Sequence, residues 1–251
     1  MIMAAKTDYS FEVEPQDVDF TRHVTLSRLI GNALDVAGLD ADAKGFGIRE
    51  LSSENRSWVL SRMAVEIIGR PQQYTPYTVT TWVNEYGRLM STRNFVFRNS
   101  GNAEIFGRAV TQWAMIDMDS RRPVDLRYIA ERGDTICPDP SPCDKPSRLP
   151  AVDPHQTATH HIAYSDIDFN RHTNALRYIQ LMIDMLPTEL PAGTAPVRIE
   201  VNFLHETRLG QQLTLKYRQD DSVSFFEIDD NDGTTACRAT FHWSYDGNSE
   251  E

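Results

Sequence analysis

The chain has 251 residues, only three cysteines, and a formal net charge of −11 with a sequence pI near 5.1. That acidity argues against a nucleic-acid partner or any polyanion as main ligand, because no basic run balances phosphate charge. Cys137, Cys143 and Cys237 are too irregular for a disulfide framework and favour a reducing compartment; residues 1–10 look like neither signal nor transit peptide, and no segment approaches a membrane span, so a cytoplasmic protein is expected.

Residues 17–25 read D-V-D-F-T-R-H-V-T, and Leu26, Leu29, Ile30, Ala33, Leu34 and Ala37 follow with the spacing of a helix that buries one stripe. Period-two alternation predicts long strands at 58–68, 77–84, 91–98 and 105–118. Arg121, Arg122, Arg127 and Arg132 cluster after the last of these, in a stretch that ordinarily reads as a solvated loop. From 133 to 156 prolines recur every few residues, including C-P-D-P-S-P-C, which predicts an extended tether because proline resists helix and central strand.

The pattern then starts again. Residues 166–174 read D-I-D-F-N-R-H-T-N, 149 positions after the first motif, and Leu176, Ile179, Met182, Ile183 and Leu186 give a second helical stripe. R-M-A-V-E-I-I-G-R at 62–70 is matched by R-I-E-V-N-F-L-H-E at 198–206, and R-A-V-T-Q-W at 108–113 by R-A-T-F-H-W at 238–243, with further strands expected from Val197, Leu213, Val223 and Thr235. The offset shrinks from 149 to 136 to 130, so the first copy carries insertions, expected around 40–56 and between the later strands. So long a period implies two duplicated domains, at 1–132 and 157–251, joined by the 133–156 linker. Each half should be one helix and about five antiparallel strands. The expected fold class is α+β, a tandem (double) hotdog in which each half wraps a curved antiparallel sheet around a central helix.

The copies differ where chemistry would sit. Thr21, Thr25 and Arg70 stand where the second copy has Asn170, Asn174 and Glu206, so the working site is expected in the second half with His172, while His23 and Asp19 serve packing. Residues 168, 170 and 172 alternate, so an extended chain would put Asp168, Asn170 and His172 on one face. Histidine and glutamate can relay a proton, Asn170 can donate an amide N–H to an oxygen, and N–H groups opening the Asn174 helix can add to it. Asp168 is expected to orient Asn170 or a backbone turn. Asp168 and Asn174 also have ordinary readings as a turn residue and a helix N-cap. The remaining histidines lack metal-ligand spacing, and neither metal nor cofactor is expected.

W-V-L-S-R-M-A-V-E-I at 58–67, T-W-V at 81–83, S-R-R-P at 120–123 and D-I-D-F-N-R-H-T-N-A-L-R-Y-I at 166–179 together resemble the acyl-acyl carrier protein thioesterases of plant plastids and their bacterial relatives, over almost the whole chain. The most specific part is Asp-x-Asn-x-His-x-Asn with a glutamate 34 residues after the histidine, here Glu206. The resemblance implies cleavage of a fatty acyl thioester on the phosphopantetheine arm of acyl carrier protein, with catalysis by Asp168, Asn170, His172 and Glu206 in the second half. It also implies an acyl chain housed in the first half, where Leu29, Ile30, Ala33 and Met63 are the expected lining, with Asn174 as a further substrate contact. Some plant members carry a cysteine after the glutamate; this chain has Thr207, which speaks against a thiol nucleophile. Water attack with Glu206 as base is the first reading, and attack by the carboxylate through a mixed anhydride the second. The implied carrier is acidic, so a basic docking patch is expected from Arg121, Arg122, Arg127 or Arg177. Alternatives are an acyl-CoA thioesterase, a hotdog hydratase acting on enoyl thioesters, and a non-enzymatic acyl binder; monomer and homodimer are both open.

Overall fold

The computed structural model describes residues 6–131, 135–193 and 197–244; Arg132 of the arginine cluster lies outside them. The first half contains β1 (Thr7–Glu12), α1 (Leu26–Ala43), α2 (Ile48–Ser53), β2 (Arg56–Ile67), β3 (Pro76–Tyr86), β4 (Ser91–Asn99), β5 (Ile105–Asp117) and α3 (Arg127–Ala130). The second contains β6 (Gln156–His161), α4 (Ala175–Ile183), α5 (Glu189–Ala192), β7 (Val197–Phe203), β8 (Gln212–Asp220), β9 (Val223–Asp229) and β10 (Thr235–Trp243). The five strands expected in each half are therefore present. The insertion expected at 40–56 is helical: α1 has 18 residues against 9 in α4, and α2 follows it. The short helices α2, α3 and α5 have too few turns to show an apolar period in sequence.

All ten strands form one antiparallel sheet in the order β1-β3-β4-β5-β2-β7-β10-β9-β8-β6. Read outward from the β2–β7 junction, the two halves list equivalent strands in the same sequence. Arg62 pairs with Asn202 and Glu66 with Arg198 across that junction, and the 136-residue offset exchanges the two pairs, so the duplication is built as a two-fold. Arg198 also bonds Glu66 through its side chain at 2.7 Å. One continuous apolar core underlies both halves, from Val13 and Leu29 to Phe241 and Trp243. The stripes of α1 and α4 close it from one side of the sheet. The helices touch where α1 carries Gly31, at which a Cβ would come within 3.1 Å of a Leu176 methyl, a close approach that glycine permits.

The proline-rich segment crosses the opposite face of the sheet. Cys137 N–H donates to the Val83 carbonyl, Trp82 Nε1 donates to the Asp139 carbonyl, and Ser147 and Leu149 N–H groups reach Glu200 and Asn202 at 2.8 and 3.0 Å. Farther on, Val152 N–H reaches Glu227. Glu200, Asn202 and Glu227 alternate with Ile199, Val201, Phe226 and Ile228 of the core, so their side chains leave the other face and meet the strap. A segment without regular structure thereby has several of its backbone donors satisfied by buried side chains of the sheet.

Candidate functional site

The motif at 166–174 is not extended. Asp168 N–H donates to the His172 carbonyl at 2.9 Å, Arg171 N–H to the Asp168 carbonyl at 3.0 Å, and Arg171 has φ 65°. The segment is a closed turn, so the single face expected for Asp168, Asn170 and His172 is not how they are arranged. The reason is local: the Asp168 carboxylate accepts the backbone N–H groups of Asn170 at 2.8 Å and His172 at 3.2 Å, a side-chain competitor that bends the chain. Asp168 thus shapes the turn. It bonds the backbone of Asn170, not its amide, and the Asn170 side chain makes no hydrogen bond among the described residues.

Asn174 caps α4, its Oδ1 accepting Leu176 N–H at 2.8 Å. Asn174 N–H itself donates to Asp166 O, and Thr173 N–H to Thr207 O, both at 2.8 Å. These bonds occupy backbone donors expected to serve an oxyanion, and the Asn170 amide is among the side-chain donors of the motif that they leave unoccupied. Asp166 anchors the turn from below, paired with Arg177 and with His160, each at 2.7 Å. Burial works to raise its pKa, but the Ala163 N–H, His160 and Arg177 outweigh that and hold it below the ordinary carboxylate value.

The loop after β7 comes alongside this turn through a bridge between His172 and Arg208. It brings Glu206 Oε2 to 3.2 Å from His172 Nε2. Two side chains 34 positions apart in sequence thus meet. Behind them Thr207, fully buried, places its hydroxyl 2.7 Å from both Thr173 Oγ1 and Tyr178 OH. Burial pushes the Tyr178 phenol up to about 12, against the pull of its bonds to Thr207 and Thr173, so it stays a protonated donor at neutral pH. The residue before Thr173 and the residue before Thr207 are the site pair, so this buried network bolts the two site segments together.

Glu206 has a second partner. Arg121, in the turn after β5, places Nη2 on Glu206 Oε1 from the other half of the molecule. In the sequence Arg121 belongs to the S-R-R-P run and to the expected docking patch, and nothing local ties it to Glu206, 85 positions away.

The first half repeats the framework with different chemistry. Asp19 N–H bonds His23 O, Arg22 has φ 63°, and Val24 N–H bonds Pro71 O, mirroring the second copy bond for bond. Arg70, at the position of Glu206, pairs with Asp19 at 2.7 Å and donates to the carbonyls of Val24, Ala192 and Gly193. A buried arginine therefore occupies the place of the acid, and Asp19 and His23, joined through Thr21, belong to a polar network.

Leu29, Ile30, Ala33 and Met63 are buried together in the shared core on α1 and β2. Of the arginines expected to form a basic patch, Arg121, Arg127 and Arg177 each pair with a carboxylate, of Glu206, Asp125 and Asp166. No helix among the described residues is long and apolar enough to cross a membrane.

Residues 4–128 match the acyl-ACP thioesterase N-terminal domain, and residues 151–245 the C-terminal domain of the same proteins. The chain belongs to the acyl-ACP thioesterase family. The crystal structure of an acyl-ACP thioesterase from Bacteroides thetaiotaomicron is 33% identical, with 95% of this chain and 98% of that one superposed at a TM-score of 0.86. A 12:0-ACP thioesterase from Umbellularia californica shares the fold at a TM-score of 0.82 with 18% identity, over 95% of this chain and 97% of that one. Both neighbours support the double hotdog expected from the repeat. The chloroplastic oleoyl-acyl carrier protein thioesterase of Coriandrum sativum is 23% identical over 92% of this chain. The chain spans 65% of that protein's length and 46% of an Arabidopsis thaliana oleoyl-acyl carrier protein thioesterase, so it is shorter than these plant members of the acyl-ACP thioesterase family.

Proposed function

We propose that the protein hydrolyses fatty acyl-acyl carrier protein thioesters, releasing a free fatty acid and the carrier's thiol. The observation that carries this reading is the contact of Glu206 with His172, in the turn that also carries Asn170, in a chain of the acyl-ACP thioesterase family. In the proposed reaction Glu206 accepts a proton from water as its oxygen attacks the thioester carbonyl, and Asn170 donates to the oxygen that becomes anionic. Collapse breaks the carbon–sulfur bond, and the proton taken from water returns through His172 to the departing sulfur. Asp168 acts by holding the turn that presents Asn170 and His172. Thr207 is excluded as a nucleophile on physical grounds, since its hydroxyl is buried and already bonded to Thr173 and Tyr178. The acyl chain is assigned to the first half's interior at Leu29, Ile30, Ala33 and Met63, and Asn174 is assigned to capping of α4. Buried, unpaired Cys137 and Cys237 fit a reducing compartment, and the cytoplasm is the proposed location.

The test is release of free fatty acid from a panel of acyl carrier protein and acyl-CoA thioesters by wild type and Glu206→Gln. The expected result is hydrolysis that prefers the carrier protein and falls by about 100-fold or more in the variant, the range for removing an acid–base group. Equal rates for the two proteins would move the chemistry away from Glu206. Absence of hydrolysis for every thioester would overturn the reaction itself.

A further inference from the structure

We propose that Arg121 is a positioning residue for Glu206: it takes one carboxylate oxygen from across the junction between the halves and so fixes the other oxygen toward His172. The inference rests on the reading of Glu206 as the catalytic base.

Glu206 sits on a loop, with a third of its side chain exposed, and a free glutamate there would sample several rotamers. His172 engages only Oε2, at 3.2 Å, and a single contact leaves the carboxylate free to rotate about it. Arg121 engages Oε1, and the two contacts together define the plane of the carboxylate. Arg121 is itself held by a tight turn. Its N–H donates to the Asp117 carbonyl at 2.9 Å, Asp117 N–H donates to the Arg122 carbonyl at 3.0 Å, and Asp117 Oδ1 accepts from Ser120 N–H and Oγ at 2.8 and 2.7 Å. Ile116 and Pro123 bridge across the base of the turn. Within it Arg121 has φ 56°, a conformation glycine or asparagine would adopt at lower cost, so the turn alone gives no reason for arginine at this position.

Stability gives no strong reason either. The Arg121 side chain is 40% exposed, and ion pairs at that exposure contribute little to folding. The two copies sharpen the contrast. At the repeat position of Glu206, Arg70 carries the positive charge and finds its acid, Asp19, in its own half. In the second half the charge at that position is inverted, and the complementary cation comes from the first half. The acid–base pair is thereby completed by a residue outside the domain that carries it.

The experiment compares kcat and KM for acyl carrier protein thioesters in wild type, Arg121→Gln, Arg121→Lys, Glu206→Gln and the Arg121→Gln/Glu206→Gln double variant, with a thermal midpoint for each. Arg121→Gln is expected to lower kcat by about 10- to 100-fold, the cost of a misplaced reacting group, with KM little changed and the midpoint within a few degrees of wild type. Arg121→Lys, or free guanidinium ion added to Arg121→Gln, restores part of the rate. In the Glu206→Gln background the Arg121 substitution adds no further loss, because its target is already gone. Wild-type kcat in Arg121→Gln overturns the proposal. So does a change confined to KM, which would place Arg121 in carrier docking, and so does an additive loss in the double variant. Failure of the underlying reading is separate: Glu206→Gln at the wild-type rate removes the base assignment and this inference with it, whatever Arg121 does.

Discussion

Replacement of Thr207 by valine should damage both the fold and the proposed site, and the structure sets the size of the effect. Valine keeps the shape of threonine and deletes one hydroxyl. That hydroxyl lies 2.7 Å from Tyr178 OH and 2.7 Å from Thr173 Oγ1, with all three residues buried. Tyr178 OH keeps only its interaction with Thr173, and Thr173 Oγ1 keeps a longer bond to the Thr207 carbonyl at 3.4 Å. An unpaired buried hydroxyl costs about 1–3 kcal/mol, so two partial losses give about 1–3 kcal/mol. At about 2–4 °C per kcal/mol for a chain of this size, the thermal midpoint should fall by about 2–12 °C. The same bonds hold the residue after Glu206 against the residue after His172, so kcat should also fall, by about 10-fold or more if the pair separates by a fraction of an ångström. Thr207→Ser is the control, keeping the hydroxyl and losing a methyl. Calorimetry and fatty-acid release on the two variants test the reasoning. Valine and serine variants with equal midpoints and equal rates would refute it, since the hydroxyl would then contribute nothing to either.

Two further outcomes are expected. Arg70→Met should lower stability by about 3–5 kcal/mol, as for one partner removed from a buried ion pair, because Asp19 and the Ala192 and Gly193 carbonyls lose their donor; a denaturant midpoint matching wild type would show that this cross-half brace carries no stability. Stability should also fall steeply in acid, because Asp19, Asp40, Asp166, Glu200 and Glu227 all have pKa values lowered in the fold, their bonds and ion pairs outweighing burial. For lowered carboxylates the unfolded chain binds more protons, so their contribution is complete above the ordinary range near pH 4 and is lost as pH falls through the folded values. Urea midpoints measured downward from pH 7 should therefore hold roughly level to about pH 5 and drop below about pH 4; a flat profile to about pH 3 would contradict the assignment.

Duplication and strand count are written in local patterns, and so were legible in the chain. Alternation at 58–68 or 91–98 needs only neighbouring residues, because a strand buries one face at a time. The repeated motif announces two equivalent turns, and the exchange of Asn170 for Thr21 and of Glu206 for Arg70 marks which turn kept a full polar set. What the spacing misread was the backbone between 168 and 172: a carboxylate that bonds its own chain closes a turn that simple alternation does not register. The remainder depended on long-range packing. That β2 meets β7, so that both halves share one sheet and one core, follows from two edge strands finding each other in space. The strap's attachment to Glu200 and Glu227, the bolt of Thr207 to Thr173 and Tyr178, and the reach of Arg121 to Glu206 join residues 29 to 85 positions apart. No local periodicity encodes such pairs, because each exists only when separate elements have packed together. The amino-acid pattern determined what chemistry was available, and the assembled sheet decided which groups could act on one another.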